Sequence, residues 1–198
     1  MQYFRGLSLG MGLVMAGSLA MTSLAAERDA SLYVGTRSCA MCHKKAESGD
    51  QFGKWQASLH SKAYDLLASP EAKASGAKVG VADPQKSGKC LKCHSTAYNF
   101  TDEVKADTAR VMVEDGVSCE SCHGPGKNYK SKLTMEDQNK CIEAGMVYPA
   151  TASCVLCHND QSPSWKPDRY TTKDGKKVGF DPEQAYEKIK HPDPKKQK

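Results

Sequence analysis

Apolar material is scarce in this chain once its first 25 residues are set aside. Only 39% of the 198 residues are hydrophobic, 7% are aromatic, and the mean hydropathy is -0.61. The roughly 173 residues that remain are the size of one domain but too poor in side-chain hydrophobes to fill its centre, so part of the core must come from another source. No segment beyond residue 25 is apolar over enough residues to cross a bilayer, and no cysteine follows that point closely enough for lipid attachment. Neither charge sign dominates, with 28 basic against 23 acidic residues, so nucleic-acid binding is not implied. Histidine is sparse as well, six in all, which makes each position informative.

Residues 1–25 are the exception to this polarity. A short n-region with one charge, Arg5, precedes an apolar run from Leu7 to Leu24. Small residues at Ser23 and Ala25 then precede Ala26 and Glu27. This is the pattern of a cleavable secretory signal. An uncleaved membrane anchor is the competing reading, but the run is rich in Gly, Ser and Ala and ends at a cleavage-like site. The expected mature protein is therefore residues 26–198, one domain exported to a bacterial periplasm.

Nine cysteines in an exported chain would first suggest a disulfide framework. Their spacing argues otherwise, because eight of them fall into four copies of one pentapeptide. These are CAMCH (Cys39, Cys42, His43), CLKCH (Cys90, Cys93, His94), CESCH (Cys119, Cys122, His123) and CVLCH (Cys154, Cys157, His158). The chain's own composition leads one to expect roughly 0.01 such pentapeptides by chance. Two thiols three positions apart, in a short turn entering a helix, can each add to one vinyl group of a single haem. The next residue then offers its imidazole to the iron. Zinc also takes paired cysteines, but it has no need of a histidine directly after the second cysteine in every copy. The expectation is four covalently attached c-type haems, whose porphyrins supply the missing core. Cys141 is left over and reads as a buried, inert helical cysteine.

Around the motifs the chain reads as mostly α-helical with long loops. The segment KWQASLHSKAYD, residues 54–65, is expected to form one helix with Phe52, Trp55, Leu59, Ala63 and Leu66 on an apolar stripe. His60 lies on the flank of that stripe, beside Tyr64 and Leu67. Ser69 and Pro70 end this helix and start another running to about Gly76. Residues 80–89 and 98–118 read as irregular. Thr134 is expected to cap a helix closing at Gly145. Asp174 and Gly175 suggest one small β-hairpin. Asp181, Pro182 and Gln184 start a last helix that ends at His191.

Six histidines less four proximal ones leave His60 and His191, so at most two irons can take a histidine on both faces. Beside an apolar stripe His60 reads alone as a boundary residue, but this shortage makes it a candidate distal ligand, like His191. Met41, Met112, Met135 and Met146 are the thioether candidates in the mature chain.

CESCHGPGKN at 119–128, with its wider frame GVSCESCHGPG, the Trp55-to-His60 segment and CVLCHNDQSPSWK, resembles the cytochrome c-554 family of tetrahaem electron carriers. The resemblance implies a compact helical protein with closely packed haem pairs. It also implies a donor such as hydroxylamine oxidoreductase, which serves the family's named member in ammonia-oxidising bacteria. It places His60 on the distal side of the third haem and His191 on that of the fourth, and leaves the second haem without a distal ligand. Where the family has a histidine for the first haem, this chain has KNYKSKLTMEDQ. Met135, just beyond that segment, becomes the candidate ligand for the first haem. The other reading leaves it a packing residue, with lysine or nothing at that iron.

Without Arg5 the mature chain carries 27 basic and 23 acidic residues, net +4. Roughly eight haem propionates, together with about four positive charges at the ferric ring centres, would bring this near zero when oxidised and to about -4 when reduced. The lysines then serve as docking patches for acidic partners. The function expected is electron transfer between a redox donor and an acceptor, for example a membrane quinone-linked cytochrome, with transient membrane-protein contact. The rival is an enzyme reducing nitric oxide or a related small nitrogen species at an open haem. A fixed link in a membrane or extracellular haem chain is a third reading.

Overall fold

A computed structural model describes residues 29–99, 101–147 and 150–191. The expected signal, residues 1–25, lies outside them. Among the described residues no helix is long and apolar enough to cross a membrane. The fold is mostly helical, with one two-stranded antiparallel sheet.

The first motif ends α1 (Thr36–His43). Two short helices follow, α2 (Gln51–Gln56) and α3 (Ala63–Leu66). These replace the single helix expected over residues 54–65. The break has a physical cause. The Ser61 hydroxyl donates to the Gln56 and Ser58 carbonyls, drawing the chain out of helical register. The His60 carbonyl, which takes the Ala63 N–H at 3.2 Å, also accepts the Val117 N–H, at 2.9 Å. The proposed stripe dissolves with it: Leu59 is 76% exposed while Ala63 and Leu67 are buried.

Helix α4 (Pro70–Ala77) starts as expected, with the Ser69 hydroxyl accepting the Ala72 N–H and Pro70 in the first turn. Helix α5 (Gly88–His94) carries the second motif and α6 (Cys119–His123) the third. The stretches before and between them are irregular apart from 3-10 turns at Pro84–Lys86 and Val113–Asp115. The helix expected from Thr134 divides into α7 (Lys132–Met135) and α8 (Gln138–Glu143). Ser131 and Asp137, rather than Thr134, accept the capping N–H groups, and each cap starts its own helix. The close at Gly145 does form, with its N–H on the Ile142 carbonyl and the Met146 N–H on that of Cys141. The fourth motif begins on a 3-10 stretch, Ala150–Leu156, and its Cys157 and His158 lie just beyond it.

The C-terminal part is a hairpin followed by a helix. Strands β1 (Tyr170–Thr171) and β2 (Lys177–Val178) pair Tyr170 with Val178 around a turn containing Asp174 and Gly175. Helix α9 (Pro182–Ile189) opens on Asp181, whose carboxylate accepts the Gln184 N–H.

The apolar core is small, as the composition demanded: Tyr33, Ala97, Ala106 and Val111, with Tyr98 and Val113 against them. Polar clamps do much of the joining. Thr96, fully buried, accepts the Ser118 N–H through its hydroxyl and shares hydrogen bonds with the Ser118 and Ser121 hydroxyls. This knot ties the loop after the second motif to the start of the third.

Candidate haem-binding site

The motif cysteines lie within or at the end of their helical turns rather than ahead of a helix. Positions three apart fall on one face of such a turn, so each pair of thiols points the same way. The first three motif histidines are the last residues of α1, α5 and α6. His158 is the second residue beyond the 3-10 stretch, after Cys157.

An outside oxygen orients each of these three rings. His94 Nδ1 meets the Ala63 carbonyl at 2.8 Å, His123 Nδ1 that of Val147 at 3.2 Å, and His43 Nδ1 the Gln51 amide oxygen at 3.2 Å. A carbonyl oxygen can only accept, so Nδ1 carries the proton and Nε2 keeps its lone pair for a metal. Burial holds His60, His94 and His123 below the ordinary imidazole value, and burial with the nearby His60 and Arg169 does the same for His158. A neutral imidazole is the form that binds iron.

The two remaining histidines each face a motif histidine. Ring centres are 6.1 Å apart for His60 and His158, and 5.8 Å for His123 and His191. Two metal–imidazole bonds of about 2 Å each, plus the two ring radii, add to roughly 6 Å. Both gaps therefore fit one iron held from two sides. All six histidines are then used, and neither His43 nor His94 has a histidine left to oppose it.

The pairing is the reverse of that implied by the family resemblance. His60 opposes the fourth motif, not the third, and His191 opposes the third, not the fourth. The course of the last helix explains the exchange. Phe180, two residues before α9, lies flat on His158, 4.7 Å between ring centres and 6° from parallel. Eight helical residues then carry the chain about 12 Å onward, which takes His191 off His158 and onto His123.

Neighbouring sulfurs set the order of the motifs. As free thiols, Cys119 donates to Cys39, which raises the first and lowers the second, and Cys157 donates to Cys93 with the same result. Helix α6 packs on the 3-10 stretch of the fourth motif and also on α1. The motifs thus form one row in the order first, third, fourth, second.

Met135 closes α7 with its sulfur 3.8 Å from the buried Cys141 thiol. The hydroxyl of Tyr129 lies close enough to feel Cys39, Cys119 and Cys141 together, which puts this turn on the side of the first and third motifs. Met112 instead accepts from the Arg37 guanidinium of α1, at 3.2 Å.

Glu120 goes unread in the sequence, and Trp55 is read there only for its apolar face and its place in the resembling segment, not for its indole N–H. Glu120, inside the third motif, is 1% exposed and accepts three backbone N–H groups. An acid between two cysteines of a buried motif was the available signal. Trp55 donates its indole N–H to the Val117 carbonyl at 2.8 Å, so the segment 55–60 grips Val117 by both its carbonyl and its N–H.

The family model described as cytochrome c554 and c-prime matches residues 38–124. Cytochrome c-554 of Nitrosomonas europaea is 28% identical over 174 residues, 80% of this chain and 71% of the relative. No solved structure matches the chain. A c-type cytochrome carries covalently bound haem c and transfers electrons between redox proteins, and these matches make the chain similar to the cytochrome c-554 family, most specifically over residues 38–124.

Proposed function

We propose that the chain is an exported tetrahaem electron carrier, with residues 1–25 a cleaved signal and 26–198 one periplasmic domain. The observation that carries this reading is the single row of four motifs. Bound haem c supplies reversible one-electron chemistry at iron. The chain's own part is to hold and orient. Cys39 and Cys42, Cys90 and Cys93, Cys119 and Cys122, and Cys154 and Cys157 would form the thioethers. His43, His94, His123 and His158 would be the proximal ligands, with His191 and His60 opposite the last two.

The ends of the row, the first and second motifs, are where no histidine remains as a sixth ligand. Met135 is the candidate for the first, supported by its place beside Cys141 on that side of the fold. Lys44 and Lys45 are exposed immediately after His43 and suit docking of an acidic redox partner. The donor and acceptor proposed are redox proteins such as hydroxylamine oxidoreductase or a membrane quinone-linked cytochrome.

Mass spectrometry of the mature protein tests the reading. Four covalent haems and a chain starting near Ala26 or Glu27 are expected. Alkylation of motif cysteines in the intact holoprotein would overturn it.

A further inference from the structure

Glu120 is the only carboxylate, ammonium or guanidinium side chain buried among the described residues, at 1% exposure. Its Oε1 accepts the N–H groups of Val34 at 2.9 Å and Gly126 at 2.7 Å, and Oε2 that of Gly35 at 2.8 Å. Val34 and Gly35 lead directly into α1 and the first motif. Gly126 belongs to the loop that leaves the third. A Cβ at Gly126 would stand 2.8 Å from Val34 Cγ2 and 3.2 Å from Glu120 Oε1, so the three segments close on the carboxylate without room for a side chain. Its hydrogen bonds come from backbone dipoles, and among the described residues no cation is paired with it.

We propose that Glu120 is a positioning residue that clamps the first and third motifs together and, by its buried charge, holds the potentials of their two irons low. This rests on the reading that both motifs carry haem. An uncompensated negative charge in a low-dielectric site favours the more positive, ferric state of an iron beside it. The charge reaches both motifs: it acts to raise the Cys39 and Cys119 thiols and the Tyr129 hydroxyl, and at Cys39 it outweighs Lys130. The fourth motif meets none of the three Glu120 bonds and provides an internal reference.

Spectroelectrochemical titration with electron paramagnetic resonance, on holoprotein whose haem count has been measured, separates charge from clamp. Glu120→Gln keeps the shape and removes the charge. Its first and third irons are expected to move positive by a tenfold change in the ferric-to-ferrous ratio or more, about 59 mV for one electron. The signal that depends on His60 should stay in place. Glu120→Asp keeps the charge, so its potentials should remain near wild type even though the shorter side chain weakens the clamp and lowers the melting temperature. Unchanged potentials in a fully loaded Glu120→Gln protein would overturn the proposal. If that variant fails to mature, a positive shift of the same two irons in Glu120→Asp would do so. A wild-type haem count below four would instead overturn the reading on which the proposal rests, and it is read before any potential.

Discussion

Phe180 lies flat against the His158 imidazole, 4.7 Å away and 6° from parallel, while Tyr170 meets the outer edge of Phe180 at 83°. The hairpin thus delivers an aromatic wall to the fourth motif, whose histidine has, among the described residues, no carbonyl partner like those of His94 and His123.

Phe180→Ala removes that wall. The ring is half-buried, so the loss of stability should fall below that of a full core deletion, about 2 kcal/mol. The more specific effect is spectroscopic. One of the two bis-histidine low-spin ferric signals should broaden or shift as the His158 ring gains freedom, while the other remains unchanged. Equal disturbance of both would show that the stack does not act on the fourth motif alone.

His60→Ala and His191→Ala should each convert one low-spin ferric haem to high-spin. The pairing makes a sharper claim than the count. The signal lost in His60→Ala should be the one disturbed in Phe180→Ala, because His60 and Phe180 both meet His158. If His191→Ala removes that signal instead, the pairing implied by the family resemblance is right and the observed geometry is wrong.

Gly116 has φ +64, and a Cβ there would lie 2.6 Å from the His60 carbonyl oxygen. Gly116→Ala combines left-handed backbone strain with a collision against the loop that presents His60. A loss of about 1–3 kcal/mol is expected, together with partial loss of the same low-spin signal as in His60→Ala. A lower melting temperature with an intact spectrum would mean that the loop carries His60 independently of Val117.

Much of the local structure was legible from residue types at short spacing. The four CxxCH motifs, the Ser69–Pro70 and Asp181–Pro182 helix starts, the Gly145 close and the Asp174–Gly175 turn depend on bonds within about five residues. Such bonds form wherever the same short string occurs, so the string suffices to read them. The shortage of side-chain hydrophobes likewise announced that the core would be small. Histidine number alone limited the irons that two histidines could hold.

What only the tertiary structure decided involves residues far apart in the chain. The helix expected over 54–65 breaks where the His60 carbonyl takes the N–H of Val117, 57 residues on. Glu120 reaches back 86 residues to Val34. The exchange of His60 and His191 between the third and fourth motifs follows from where Phe180 anchors the last helix. Periodicity records the faces of an element but not the distant group that competes for its hydrogen bonds. In a chain with so little apolar core those polar contacts choose between arrangements that local sequence leaves equal.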